Sequence, residues 1–160
     1  MGTQIWRTGV ATLLWFIWSS SVQACSCVSG PEPDKALERA DAVFLGTVVD
    51  FEVRGKPEVV ELDRDQQGRF YRSGRRATFR IWTIWKGPHQ QELIVSTGEG
   101  GGDCGFDFIV GREYLVYAGK TSEGYTTNIC SRTRDVWGSS DRREADEDFR
   151  VLGKGTAIAP

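Results

Sequence analysis

Histidine is almost missing from this 160-residue chain, His89 being the only one. A histidine-based triad or a protein-borne catalytic zinc needs more imidazole than that. His89 sits in the loop "KGPHQQ" without a partner pattern and reads as a solvated loop residue, so the chain is not expected to be an enzyme. An excess of either charge is missing too: 20 Lys and Arg face 22 Asp and Glu, a net charge of −2. With both signs interspersed there is no footprint for nucleic acid or anionic lipid. Long apolar runs are absent except for "VATLLWFIW", Val10 to Trp18, far short of the ~20 residues a membrane span needs. The glycine-rich stretch "GEGGGDCG" has no Lys-Ser or Lys-Thr after it, which excludes a phosphate loop and leaves a turn. No internal repeat, linker or second domain is visible.

The first 24 residues have the pattern of a secretory signal. Arg7 and the amino terminus precede the apolar run, and "SSSVQA" follows it, with Val22 and Ala24 as the small residues of a cleavage site. A cut after Ala24 removes one charged residue, Arg7, and leaves 136 residues with a net charge of −3 that begin at Cys25. That length suits one domain, expected over 25–152 and followed by a loose tail over 153–160. The product is expected to be secreted or periplasmic, and monomeric. A lipoprotein anchored at Cys25 is the minority alternative; it leaves an odd number of cysteines, and Val22 and Gln23 fit its usual pattern poorly.

Along the remaining chain, "DKALERADAVF" predicts a short helix capped by Asp34. "AVFLGTVVDFEV" predicts a long strand with a bulge or bend at Gly46, and the charged residues 54–76 a projecting hairpin. "ATFRIWTIW" alternates, placing Phe79, Ile81, Thr83 and Trp85 on one face. "ELIVST", "REYLVYAG" and "YTTNIC" supply further strands, the last as an edge strand ending at Cys130. "SSDRREADEDFRVLG" predicts a helix capped by Ser139 or Ser140, with Phe149 and Leu152 docked inward and its charges on a solvated face where Arg142 can pair with Asp146. Five or six strands flanked by short helices make a mainly β protein, a small closed antiparallel barrel. Such barrels also host oligonucleotides and sugars, so Trp82, Trp85 and Trp137 could form a binding platform, though packing is the more usual fate of such residues.

Four cysteines allow three pairings. Joining Cys25 to Cys27 would strain a very small loop, so two long-range bridges, from Cys25 and Cys27 to Cys104 and Cys130, are favoured. A four-cysteine zinc site is the competing reading, but its usual two close pairs are not present.

"CSCV" at the new amino terminus, "CGF" at Cys104 to Phe106, "GREYLVYAGK" at Gly111 to Lys120 and "YTTNICS" before the last helix occur in that order. Together they resemble the inhibitory domain of the tissue inhibitors of metalloproteinases, within the wider netrin-like module. The resemblance implies an OB-like barrel with bridges Cys25–Cys104 and Cys27–Cys130. It implies an activity as well: the amine and carbonyl of Cys25 would chelate the catalytic zinc of a target metalloendopeptidase, displacing its reactive water. The zinc belongs to the target, and the chain needs no cofactor of its own. Ser26 would enter the primed-side specificity pocket, Cys27 and Val28 would run along the cleft, and Gly102 and Asp103 would also meet the protease. Asp103 would lie beside the Cys25 amine, where a carboxylate favours the protonated form. Four cysteines leave no third bridge of the family's kind within this chain, and the family's cysteine-rich second domain is not expected. The alternative function is a netrin-like binding module of the cell envelope, non-inhibitory and anchored or merely bridged at Cys25.

Overall fold

A computed structural model describes residues 25, 27, 30–54, 59–61, 69–71, 74–99, 103–138 and 141–159. The signal segment and the Ser139 and Ser140 caps lie outside these. The chain runs α1 (Pro33–Arg39), β1 (Ala42–Arg54), β2 (Val59–Glu61), β3 (Arg69–Tyr71), β4 (Gly74–Lys86) and β5 (Glu92–Thr97). It continues through β6 (Glu113–Thr121), β7 (Gly124–Thr126), β8 (Arg134–Asp135), α2 (Asp141–Leu152) and β9 (Thr156–Ala157). β1 pairs antiparallel with both β4 and β6, β4 with β5, and β6 with β7; a short parallel pairing of β5 with β7 closes the ring. The result is a closed five-stranded barrel with two flanking helices, as the sequence pattern predicts. β8 extends β6 at the edge, and β2 and β3 form the hairpin expected within 54–76.

The bend expected at Gly46 exists, but there the inserted residue lies on the partner strand. Leu45 pairs with Thr83 and Gly46 with Ile81, so Trp82 is an extra residue of β4; Trp85 is skipped in the same way between Ile84 and Lys86. A Cβ on Gly46 would stand 2.8 Å from the Arg80 carbonyl oxygen, which is why the strands can cross closely only at a glycine. Each insertion flips the inside–outside alternation. Phe79 and Ile81 face the core as expected, but beyond Trp82 it is Ile84, rather than Thr83 or Trp85, that is buried.

Inside the barrel, Phe44, Phe79, Phe106, Phe108 and Tyr114 pack largely edge to face, with centroids 4.7–6.3 Å apart. A second cluster lies outside the barrel wall: Val43, Leu115 and Tyr117 from the strands meet Ala36 and Ala40 at the α1 end, and Phe149 and Leu152 from α2. β6 is therefore buried on both faces. The bulge turns Trp85 into this outer layer, where it stacks on Phe149 and donates its indole N–H to the Gly153 carbonyl at 2.9 Å. The inward docking of Phe149 and Leu152 thus follows the sequence expectation.

Three local expectations change. α1 is capped at Glu32 with Pro33 in the first helical position, where the missing N–H costs nothing; Asp34 sits in the first turn instead. The edge strand before Cys130 ends at Thr126, because residues 127–133 form turns stitched by hydroxyls. The tail expected to be loose pairs with β4, Thr156 opposite Ile84 and Ala157 opposite Thr83, and Ile158 N donates to the Trp82 carbonyl at 2.9 Å. That backbone acceptor is exposed by the bulge, so the tail completes a ladder that β4 leaves open.

Candidate functional site

The two cysteines of "CSC" are both bridged. Cys25 joins Cys104 and Cys27 joins Cys130, with Cα separations of 5.4 and 5.3 Å. The partners sit on two neighbouring loops, after β5 and after β7, and Ile129 N donates to the Cys104 carbonyl at 3.0 Å, so the loops hold one another. The sulfurs of Cys25, Cys104 and Cys130 lie within 4.8 Å of one another. All four cysteine sulfurs are used in the bridges, which leaves no thiolate for the zinc reading. Cys27 is exposed and Cys25 half-buried. Two such bridges belong to an oxidising environment. Among the described residues no helix is long and apolar enough to cross a membrane.

Each loop is built to carry its cysteine. After β5, the Asp103 carboxylate accepts N–H bonds from Glu99 at 2.7 Å and Gly105 at 3.1 Å, and Thr97 Oγ1 accepts one from Phe106 at 2.7 Å. Arg75 of β4 ties down the same loop through Nε to the Gly98 carbonyl (2.9 Å) and Nη1 to Asp107 (2.5 Å). Cys104 itself is held at φ 60°, a left-handed conformation uncommon outside glycine. After β7, Asn128 Oδ1 accepts from Cys130 N at 2.9 Å. Thr127 and Thr133, both buried, bond each other at 2.7 Å and clasp the Tyr117 main chain: Thr133 Oγ1 accepts from Tyr117 N and Thr127 Oγ1 donates to Tyr117 O. The charge on Asp103, expected to bear on the Cys25 amine, is thus engaged by two backbone donors of its own loop.

Of the residues singled out from the sequence, Cys25, Cys27 and Asp103 are brought to one edge of the barrel; Ser26, Val28 and Gly102 lie outside the described residues. Beside that edge a cleft of about 340 Å³ is lined by Cys27, Gly30, Phe106, Ile129, Arg132 and Arg134, among others. Of the three tryptophans named for a platform, Trp82 and Trp137 bond Thr47 and Glu113, which stand opposite each other on β1 and β6. Trp85 is packed, Trp82 donates to Thr47 Oγ1 at 2.8 Å, and the exposed Trp137 donates to Glu113 at 3.2 Å. His89 is exposed.

Sequence reasoning missed the charged cluster beneath the cleft. Asp148 of α2 is fully buried. Its Oδ1 accepts from Arg132 Nε at 2.5 Å. Arg134 Nε lies 3.1 Å from its Oδ2 but points its N–H at the Arg132 carbonyl, so that oxygen has charge contact without an aligned hydrogen bond. Burial pushes the Asp148 carboxyl above its ordinary value, against the pull of the two guanidiniums. Burial raises the Tyr117 phenol as well, and the charge of Asp148 adds to it. Arg134 also pairs with Glu144 and holds that carboxyl below its ordinary value. The signal was present: Asp148 lies three residues after Ala145 and four before Leu152, on the stripe of α2 that docks. A carboxylate on such a stripe needs a buried cation. Compared with protein-family models and with curated proteins, the chain matches none.

Proposed function

We propose that this chain is an exported inhibitor of zinc metalloendopeptidases that acts through the main-chain amine and carbonyl of Cys25. The observation that carries the reading is the double bridging of "CSC": Cys25 and Cys27 are fastened to two loops that are themselves bonded through Ile129 N and Cys104 O. A segment fixed in this way on a barrel edge has little freedom left to lose on association, which is what a cleft-filling inhibitor requires. The resemblance of "CSCV", "CGF", "GREYLVYAGK" and "YTTNICS" to the tissue inhibitors supports the same assignment.

In this mechanism a five-membered chelate ring would displace the reactive water of the target zinc and supply two donors beside its three protein ligands. The ring is closed by the Cys25 nitrogen and its own carbonyl oxygen. The amine binds neutral, and an α-amino group with an ordinary pKa near 7.7–8.0 gives up its proton at little cost near neutrality. Cleavage after Ala24 is therefore part of the chemistry. Ser26 fills little of a deep pocket, which favours breadth over selectivity.

The test is intact mass of the exported protein together with titration against zinc endopeptidases of the thermolysin and metzincin types. Inhibition by the chain starting at Cys25, and its loss when one alanine precedes Cys25, is the expected result. Lipid on Cys25, no inhibition by the correctly processed chain, or inhibition that survives the added alanine would each overturn the reading.

A further inference from the structure

The N-terminal segment has a third anchor that involves no sulfur. Arg132 Nη1 donates to the Pro31 carbonyl at 2.8 Å, across 101 residues of sequence. Its Nε is held by Asp148 at 2.5 Å, and another nitrogen lies 3.6 Å from Glu147. The side chain is nine-tenths buried, and the residue stands at φ 69°. A side-chain-bearing residue keeps that conformation only where its surroundings over-determine it. The cluster gathers two guanidiniums, Arg132 and Arg134, and three carboxylates, Glu144, Glu147 and Asp148, so its cations are neutralised. Beyond these ion pairs, Arg132 gives an N–H to the Pro31 carbonyl. α2, which carries the three carboxylates, is seated independently through Ala145 and through Phe149 on Trp85.

We propose that Arg132 is a positioning residue: held by Asp148 of α2, it clamps the Pro31 carbonyl and so helps to set how the bridged Cys25 is presented. The presentation of Cys25 rests on the inhibitor reading; the clamp itself does not. The job suits arginine in particular. Its planar fork can serve two acceptors at once in fixed directions, whereas a lysine ammonium on a flexible stem can keep the charge beside Asp148 without also holding Pro31. The fastening of the segment would then depend on the docking of the last helix as well as on the bridges.

Two variants, Arg132→Lys and Arg132→Gln, separate folding from positioning, with both bridges first verified by mass. Backbone 15N relaxation at Gly30 and Glu32 reads the clamp, and the dissociation rate from a zinc endopeptidase inhibited by the parent protein reads the presentation. In the parent, order parameters near the rigid value of about 0.85 are expected at both residues. In Arg132→Lys they should fall toward about 0.6 or below while the melting temperature holds, because the charge opposite Asp148 is retained. Dissociation should accelerate roughly 10-fold, with association nearly unchanged. Arg132→Gln should lose order and melting temperature together. Unchanged order in Arg132→Lys, or a parent already flexible at Gly30, overturns the clamp. Order lost without faster dissociation overturns the presentation role. A parent that inhibits no zinc endopeptidase overturns the inhibitor reading and the presentation role together, and the order parameters still decide the clamp.

Discussion

The carboxylate of Asp103 occupies the space that a side chain on Gly98 would fill: a Cβ there would stand 2.6 Å from Asp103 Oδ2. The absent side chain and the carboxylate are two halves of one loop closure, since the same oxygen accepts the Glu99 N–H. Gly98→Ala should therefore displace the carboxylate. Asp103→Ala should lose two charge-assisted bonds at an exposed site, costing about 1 kcal/mol. Thermal melting of the two single variants and the double variant checks this. Costs in the double variant well below the sum of the singles are expected, and full additivity would contradict a shared closure.

Gly46→Ala should be more damaging. Its Cβ would meet the Arg80 carbonyl at 2.8 Å, a backbone atom in the longest ladder of the barrel. A cost of about 2–3 kcal/mol is expected, in the range of overpacked cores. Gly119→Ala, with nothing within 4 Å of the added carbon, is the control and should change the melting temperature little.

Removing Cys27 and Cys130 together, as serines, frees a loop spanning 103 residues of sequence. The chain-entropy account gives about 4–5 kcal/mol for a loop of that size, with measured values commonly lower. Chemical denaturation of the paired variant should show a lower midpoint. A stability equal to that of the parent would mean that the loop contributes nothing to the constraint of the unfolded chain.

Acid acts on the cluster beneath the cleft in two opposed ways. Glu144 has its carboxyl lowered by Arg134, so its contribution is present above the unfolded value of 4.5 and is lost as pH falls through the depressed folded value. Asp148 has its carboxyl raised by burial, so its protonated form favours the fold below 3.8, and that contribution is lost as pH rises through the raised folded value. Carbon-detected carboxyl titration should place Asp148 above and Glu144 below their ordinary midpoints. Melting temperatures of Glu144→Gln should fall less on acidification than those of the parent.

Much of the barrel is legible in sequence because its strands are rich in β-branched and aromatic residues and are bounded by turn residues. The face of β4 is legible only as far as Ile81. Beyond it the inserted Trp82 changes the phase, and a bulge depends on the partner strand, which no local pattern contains. The tail at Thr156–Ala157 was illegible for the same reason: it pairs where β4 offers unfilled acceptors. At the site, the cysteines announce themselves by spacing. Arg132 and Asp148 lie in charged stretches whose composition suits a solvated surface, and only the docking stripe of α2 separates Asp148 from its exposed neighbours.

The ring of strands closes through two residue pairs, Val95 with Tyr125 and Ser96 with Thr126, whereas β1 and β4 share a ladder of eleven. Cys104 follows one side of that short joint and Cys130 follows the other, and Cys25 and Cys27, two residues apart, reach both. The segment "CSC" is thus a covalent staple across the weakest seam of the barrel. Reducing agents that open it would let the cylinder unzip between β5 and β7 first, so the piece of chain proposed to meet the protease also keeps the barrel shut.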